Sequence, residues 1–139
     1  MSTTIVKLAE GMQFIGRGTS GHAVLMDSAE NVGGADSAAR PVEVMLCALG
    51  GCTGMDVISI LRKMKTEPED LSVEIKDTRA PEYPMVFTDI HIIYRVRGNV
   101  PEANLKKAIE LSLTKYCPIS NSLARVANVT SEYVIERDQ

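Results

Sequence analysis

Pro41-Val42-Glu43-Val44-Met45-Leu46-Cys47-Ala48-Leu49-Gly50-Gly51-Cys52-Thr53-Gly54-Met55-Asp56 is the stretch on which the fold turns, because it leaves almost no polar face until Asp56. Pro41 suits the first turn of a helix, where its missing N–H is harmless. The pattern predicts a helix from there to about Lys65, more polar at Arg62-Lys63 and ended at the latest by Pro68. A helix apolar nearly all round is buried on most sides, so this one is expected at the centre of the domain. Gly50 and Gly51 should each cost about 1 kcal/mol relative to Ala inside it. The expected compensation is close approach by another backbone, a bend, or room for a ligand beside Cys52.

Outward from this helix the chain divides into short pieces. Residues 4–27 read as two or three strands with turns at Gly11, Gly16, Gly18 and Gly21, and the small, polar residues 28–40 read as a loop. After the helix, Leu71, Val73 and Ile75 alternate with Ser72, Glu74 and Lys76, the period of a half-buried strand. A loop with Pro81 and Pro84 follows. Over residues 86–97, Thr88, Ile90, Ile92, Tyr94 and Val96 share one face, with Asp89, His91, Arg95 and Arg97 opposite. These two segments are expected to form an antiparallel hairpin. Pro101-Glu102 opens a second helix carrying Leu105, Ala108, Ile109 and Leu113, which Pro118 should stop or break at Cys117. A short amphipathic stretch (Ile119, Leu123, Val126) and a closing strand at about 129–137 complete an α+β domain, a single unit over residues 1–139.

The composition narrows the function. With 139 residues the chain suits one domain, and its six aromatic residues leave the core to Leu, Ile, Val, Met and Ala. A net charge of −3 without any basic run offers no attraction for nucleic acid. The N-terminus carries no signal pattern and no run of eighteen apolar residues is found, so a cytoplasmic protein with no membrane association is expected. Three cysteines are odd in number and few, against a secreted disulfide framework; a disulfide here would be transient and chemical.

Two of those cysteines are the candidates for chemistry. Cys52 follows two glycines in the apolar helix, and Cys117 stands at a helix end before Pro118. If the fold joins them, one thiol can attack and the other close a disulfide. Against this, free Cys is among the most buried residue types, and Cys52 could be a small core residue. Cys47, five positions earlier and about 140° around the helix, points elsewhere and is expected in the core. Met45, Met55 and Met64 are expected in the core or a dimer interface. His22 and His91 lack metal-ligand spacing, so no zinc site is expected. The glycines at 16–21 and 33–34 lack the strand–turn–helix context of a nucleotide site. No cofactor is expected.

Ser20-Gly21-His22 followed by Asp27, Pro41 opening a helix with Glu43, Gly51-Cys52, and Cys117-Pro118 about 65 residues later together resemble the OsmC/Ohr family, the osmotically induced and organic-hydroperoxide-resistance proteins. The order of elements agrees along nearly the whole chain, which is closer to a less-characterised OsmC-like branch. The resemblance implies an intertwined homodimer, with long central helices wrapped by antiparallel sheets and active sites at the interface. It also implies thiol-dependent reduction of organic hydroperoxides in an oxidative stress response, with a dithiol reductant, lipoyl-linked or small. By that match Cys52 is the peroxidatic thiol and Cys117 the resolving one. The family's activating Arg and Glu fall on Thr19 and Val42, so neighbouring Arg17 and Glu43 are expected in those roles. Arg17 is taken first because it shares a strand face with Thr19; Arg40 is the second candidate cation. The competing expectation is a non-enzymatic dimer of the same fold, a thiol redox sensor or a binder of apolar ligands.

Overall fold

The computed structural model describes residues 1–137. The elements that position the site are, in chain order, β1 (Ile5–Glu10), β2 (Gln13–Arg17), β3 (Ala23–Met26), α1 (Pro41–Lys63), β4 (Asp70–Arg79), β5 (Phe87–Arg97), α2 (Glu102–Leu111), a π-helical turn (Ser112–Tyr116), α3 (Pro118–Leu123) and β6 (Asn128–Glu136). The architecture is mixed α+β, with two three-stranded sheets. The chain forms two compact units, Met1–Cys47 and a second from Ala48 onward, with the boundary inside α1.

In the first unit β1, β2 and β3 form an antiparallel meander in which Val6 faces Gly16 and Gly16 faces Val24, while Lys7 faces Ile15 and Ile15 faces Leu25. Both faces therefore carry apolar side chains. Every residue of β1 is exposed, with Ile5 at 65% and Leu8 at 51%. The loop after β3 is ordered around one buried carboxylate. Asp27 accepts hydrogen bonds from the backbone N–H of Ser28, Ala35 and Ser37 and from the Ser37 hydroxyl, the last at 2.6 Å. Those donors hold its pKa down, to about 2. Gly34 is required where this loop folds back, because a Cβ there would lie 2.0 Å from the Ser28 carbonyl oxygen.

In the second unit β5 is the central strand, antiparallel to β4 and parallel to β6. The alternation read from the sequence is realised: Ile90, Ile92, Tyr94 and Val96 are buried. The hairpin is as expected, but the sheet is mixed rather than antiparallel. The helical crossover through α2 and α3 returns the chain along the same direction as β5, as parallel pairing requires. Hydrophobic period marks a strand without saying which way it runs beside its neighbour.

Helix α1 buries one stripe, Leu49, Thr53, Val57 and Leu61, at the i, i+4 spacing of a single face. The two glycines differ in role. A Cβ on Gly50 would stand 3.3 Å from Ile75 Cδ1, and one on Gly54 3.5 Å from Val73 Cγ2, so these glycines let α1 lie close over β4. A Cβ on Gly51 would meet no other part of the described residues within 4 Å beyond its own helix. The expectation of a helix buried on most sides is not met by the single chain. Met55 is 74% exposed and Cys47 is exposed rather than in the core. An 18-residue window of α1 has a mean hydropathy of 1.8, long and apolar enough to cross a membrane, which a search for unbroken apolar runs misses because Gly and Thr interrupt it. Its buried stripe belongs to a core shared with β5, α2 and Cys117.

Because the folded pKa of Asp27 lies below its ordinary 3.8, its contribution to stability is present above about pH 4 and lost as the pH falls toward 2. Amide exchange at Ala35 and Ser37 should accelerate through that window. Asp27→Asn should accelerate it at neutral pH and flatten the acid dependence; unchanged protection in the variant would contradict this role.

Candidate functional site

Cys52 lies on α1, and Asp56 follows it one helical turn later, so both project from the same face. Cys117 is held where two helices meet. The end of α2 widens into the π-helical turn, closed by the Cys117 N–H donating to the Ser112 carbonyl at 2.8 Å. Such insertions recur at functional sites because they displace the following residue from the helical path. Cys117 itself is extended (φ −80°, ψ 106°), as a residue before proline should be. It caps α3: Ser120 N–H donates to its Sγ at 3.3 Å, and Pro118 occupies the first helical position. Asn121 Nδ2 donates to its carbonyl at 2.7 Å. The sulfur that ends one helix thus begins the next.

The Sγ atoms of Cys52 and Cys117 and a carboxylate oxygen of Asp56 all lie within 4.8 Å of one another. Cys117 is fully buried, and Cys52 and Asp56 are half-buried. Burial raises the Cys52 thiol to a pKa of about 11, reinforced by the hydrogen bond and charge of Cys117 and by the charge of Asp56. The Ile119 backbone N–H pulls the other way, more weakly. Among the described residues of this unit, the titratable side chains that act on Cys52 are the acids Cys117 and Asp56.

A chain of buried hydroxyls leads to the site. Ser112 donates to Asp56 Oδ2 at 2.9 Å, Thr53 Oγ1 is 2.7 Å from Ser112 Oγ, and Tyr94 OH is 2.6 Å from Thr53 Oγ1. Each hydroxyl has a single proton. With that of Ser112 committed to the carboxylate, Thr53 must donate to Ser112 and Tyr94 to Thr53. Burial holds the Tyr94 phenol protonated, its pKa pushed up to about 12, which agrees with its place as first donor. These partners were missed in the sequence. Asp56 carried a signal, as the polar residue one turn beyond Cys52; Thr53, Tyr94 and Ser112 carried none.

The remaining expected residues are placed in the first unit. Arg17 ends β2, exposed, beside a shallow groove lined by Lys7, Leu8, Ala9 and Ile15. Thr19 lies past the strand in a turn, so the shared strand face expected for the two does not exist. Glu43 accepts from the Arg40 backbone N–H at 3.2 Å, the reach-back of a capping box at the start of α1. The Arg40 guanidinium donates to Asp36 Oδ1 at 2.7 Å and to the Ala38 carbonyl at 2.9 Å. His91 pairs with Thr130 and Glu132 across the sheet.

With that geometry, likeness to known proteins acquires meaning. The profile of the OsmC-like protein family matches residues 34–132. Protein YhfA of Escherichia coli K12 is 38% identical over 131 residues, covering 94% of this chain and 95% of its own. The crystal structure of a hypothetical protein from Aquifex aeolicus superposes with a TM-score of 0.86 at 24% identity, covering 100% of this chain and 98% of that one. An organic hydroperoxide resistance protein from Legionella pneumophila, also described as a predicted redox protein, superposes with a TM-score of 0.64 at 20% identity, covering 94% and 96%.

Thr53→Val removes the middle of the hydroxyl chain, taking away the Thr53 partner of the buried Tyr94 phenol and leaving Ser112 with Asp56. It should cost about 1–3 kcal/mol in urea unfolding. Tyr94→Phe added to it should cost less than the two single changes summed, because both break one network. Additive losses would show that the hydroxyls are not coupled.

Proposed function

The chain belongs to the OsmC-like family, and from that premise we propose that it is a thiol-dependent peroxidase that reduces organic hydroperoxides. The observation that carries this reading is the approach of Cys52 and Cys117, 65 residues apart in sequence, to within 4.8 Å. The Cys52 thiolate attacks the O–O bond of ROOH; Cys52 becomes a sulfenic acid and the alcohol ROH leaves after taking a proton. The Cys117 thiol then condenses with the sulfenic acid, forming the disulfide and releasing water. A dithiol reductant, lipoyl-linked or small, restores both thiols and is itself oxidised to a disulfide. Closing the disulfide requires the half-buried Cys52 sulfur to move in from within 4.8 Å to the anchored Cys117.

Attack needs the thiolate, and the surroundings of Cys52 in its own unit favour the thiol. The reading therefore assigns the activating charge to Arg17, oriented by Glu43 in the active assembly. A homodimer is part of the same proposal. The N-terminal sheet leaves apolar side chains open on both faces, and α1 leaves Met55 exposed. Uncovered apolar area of this kind marks an interaction surface. The alternative, a redox sensor without turnover, would use the same pair of neighbouring sulfurs, Cys52 and Cys117.

Peroxide consumption with excess dithiol should vanish in Cys52→Ser and fall steeply in Cys117→Ser, and Arg17→Ala should shift the rate profile to higher pH. If Cys52→Ser and Cys117→Ser both keep wild-type turnover, the mechanism is wrong. A single disulfide formed per chain, with no sustained turnover, would establish the sensor instead. Light scattering should give twice the chain mass, and Met55→Glu should lower it toward that of one chain; a wild-type monomer would remove the dimer from the proposal.

A further inference from the structure

The site gathers two sulfurs and a carboxylate without a cation. Among the described residues none of the ion pairs includes Asp56. We propose that Cys52, Asp56 and Cys117 form a binding site for a borderline-soft divalent cation of the zinc class. Two thiolates and one carboxylate are a donor set that suits zinc and discriminates against calcium and magnesium, which prefer all-oxygen shells.

The geometry is close to what such an ion needs. At metal–sulfur and metal–oxygen bonds of about 2.3 and 2.1 Å, tetrahedral donors stand roughly 3.5–3.8 Å apart. The three atoms here are within 4.8 Å of one another, so contraction of about 1.3 Å at most closes the set. Cys52 and Asp56 are one turn apart on α1 and can pinch an ion between them, as i, i+4 ligands do. Cys117 is pre-positioned by its backbone, with the Ser120 N–H already donating to its sulfur. Asp56 is oriented by Ser112, whose own position is set by Thr53, so the carboxylate has the kind of outer partner that metal ligands ordinarily have. Three protein donors leave a fourth position for water, the arrangement of an open rather than a sealed site.

Binding would displace the thiol protons to solvent and leave both sulfurs as thiolates under the ion. Oxidation of the pair to a disulfide removes two of three ligands, so metal and disulfide exclude one another. Metal binding stands independently of the peroxidase reading. Its consequence, that a bound ion caps the dithiol and blocks turnover until released, rests on that reading.

Cobalt is the probe, because thiolate-to-cobalt charge transfer reports sulfur ligation directly. Reduced, chelator-treated protein titrated anaerobically with Co²⁺ should develop this band at one ion per chain, and Zn²⁺ should displace it. Cys47→Ser should bind as wild type. Cys52→Ser and Cys117→Ser should each weaken the band and the affinity, and Ser112→Ala should cost about tenfold in affinity. Asp56→Asn should cost at least as much as Ser112→Ala, and protein oxidised with diamide should not bind. Cys117 is fully buried, so Cys52→Ser and Asp56→Asn carry the test if Cys117→Ser does not fold. No band in the reduced wild type, a band unaffected by Cys52→Ser, or one lost with Cys47→Ser would overturn the site. Peroxide turnover is measured separately with chelator present. Binding without turnover would sink the peroxidase reading alone, and turnover without binding would sink the metal site alone.

Discussion

Thr53 has no room to be anything but a hydrogen-bonding residue, and much of the second unit depends on it. It sits on the buried stripe of α1, between Tyr94 of the central strand and Ser112 at the start of the π-helical turn. Those two bonds tie three elements that are far apart in sequence. Without Thr53 the buried Tyr94 phenol would lose that partner while Ser112 kept Asp56, at a cost of about 1–3 kcal/mol. The same constraint aligns the site, because α1 carries Cys52 and Asp56 while the π-helical turn delivers Cys117. Position and chemistry are therefore set by one polar contact inside an otherwise apolar core, where a satisfied network rewards a single arrangement.

What that arrangement produces is an electrostatic imbalance. Two thiols and a carboxylate share a half-buried space, and burial, reinforced by Cys117 and Asp56, makes ionisation of Cys52 harder. Such a site must import positive charge before Cys52 becomes a good nucleophile. A guanidinium and a divalent cation supply it with opposite consequences. An arginine stabilises the thiolate while leaving its lone pairs available to a peroxide; a metal stabilises it by occupying them. Reactivity and protection can thus compete for the same two sulfurs.

The two units share a second trait. In the first, a three-stranded sheet has exposed apolar residues on both faces, and the loop after it is ordered by the Asp27 carboxylate and the donors around it. In the second, α1 is packed along only one stripe. Small antiparallel sheets gain stability from cover on an apolar face, and it is this open surface that the homodimer of the proposal would cover.

The strands, the hairpin, the apolar helix and the break at Cys117-Pro118 were legible because each follows from local physics. Period two or 3.6, a proline before which helix is disfavoured, and glycines at turns are all properties of neighbouring residues. The pairing of β6 alongside β5 in parallel was not, since strand direction is decided by the crossover and not by the strand. The burial of α1 was overestimated for a related reason: an all-round apolar helix announces that it wants cover, without saying what provides it. Cys52 and Asp56 could be placed on one face from spacing alone. That Cys117 meets them, and that Tyr94, Thr53 and Ser112 align behind Asp56, depended on contacts between residues 41 to 65 positions apart, which only the packed chain creates.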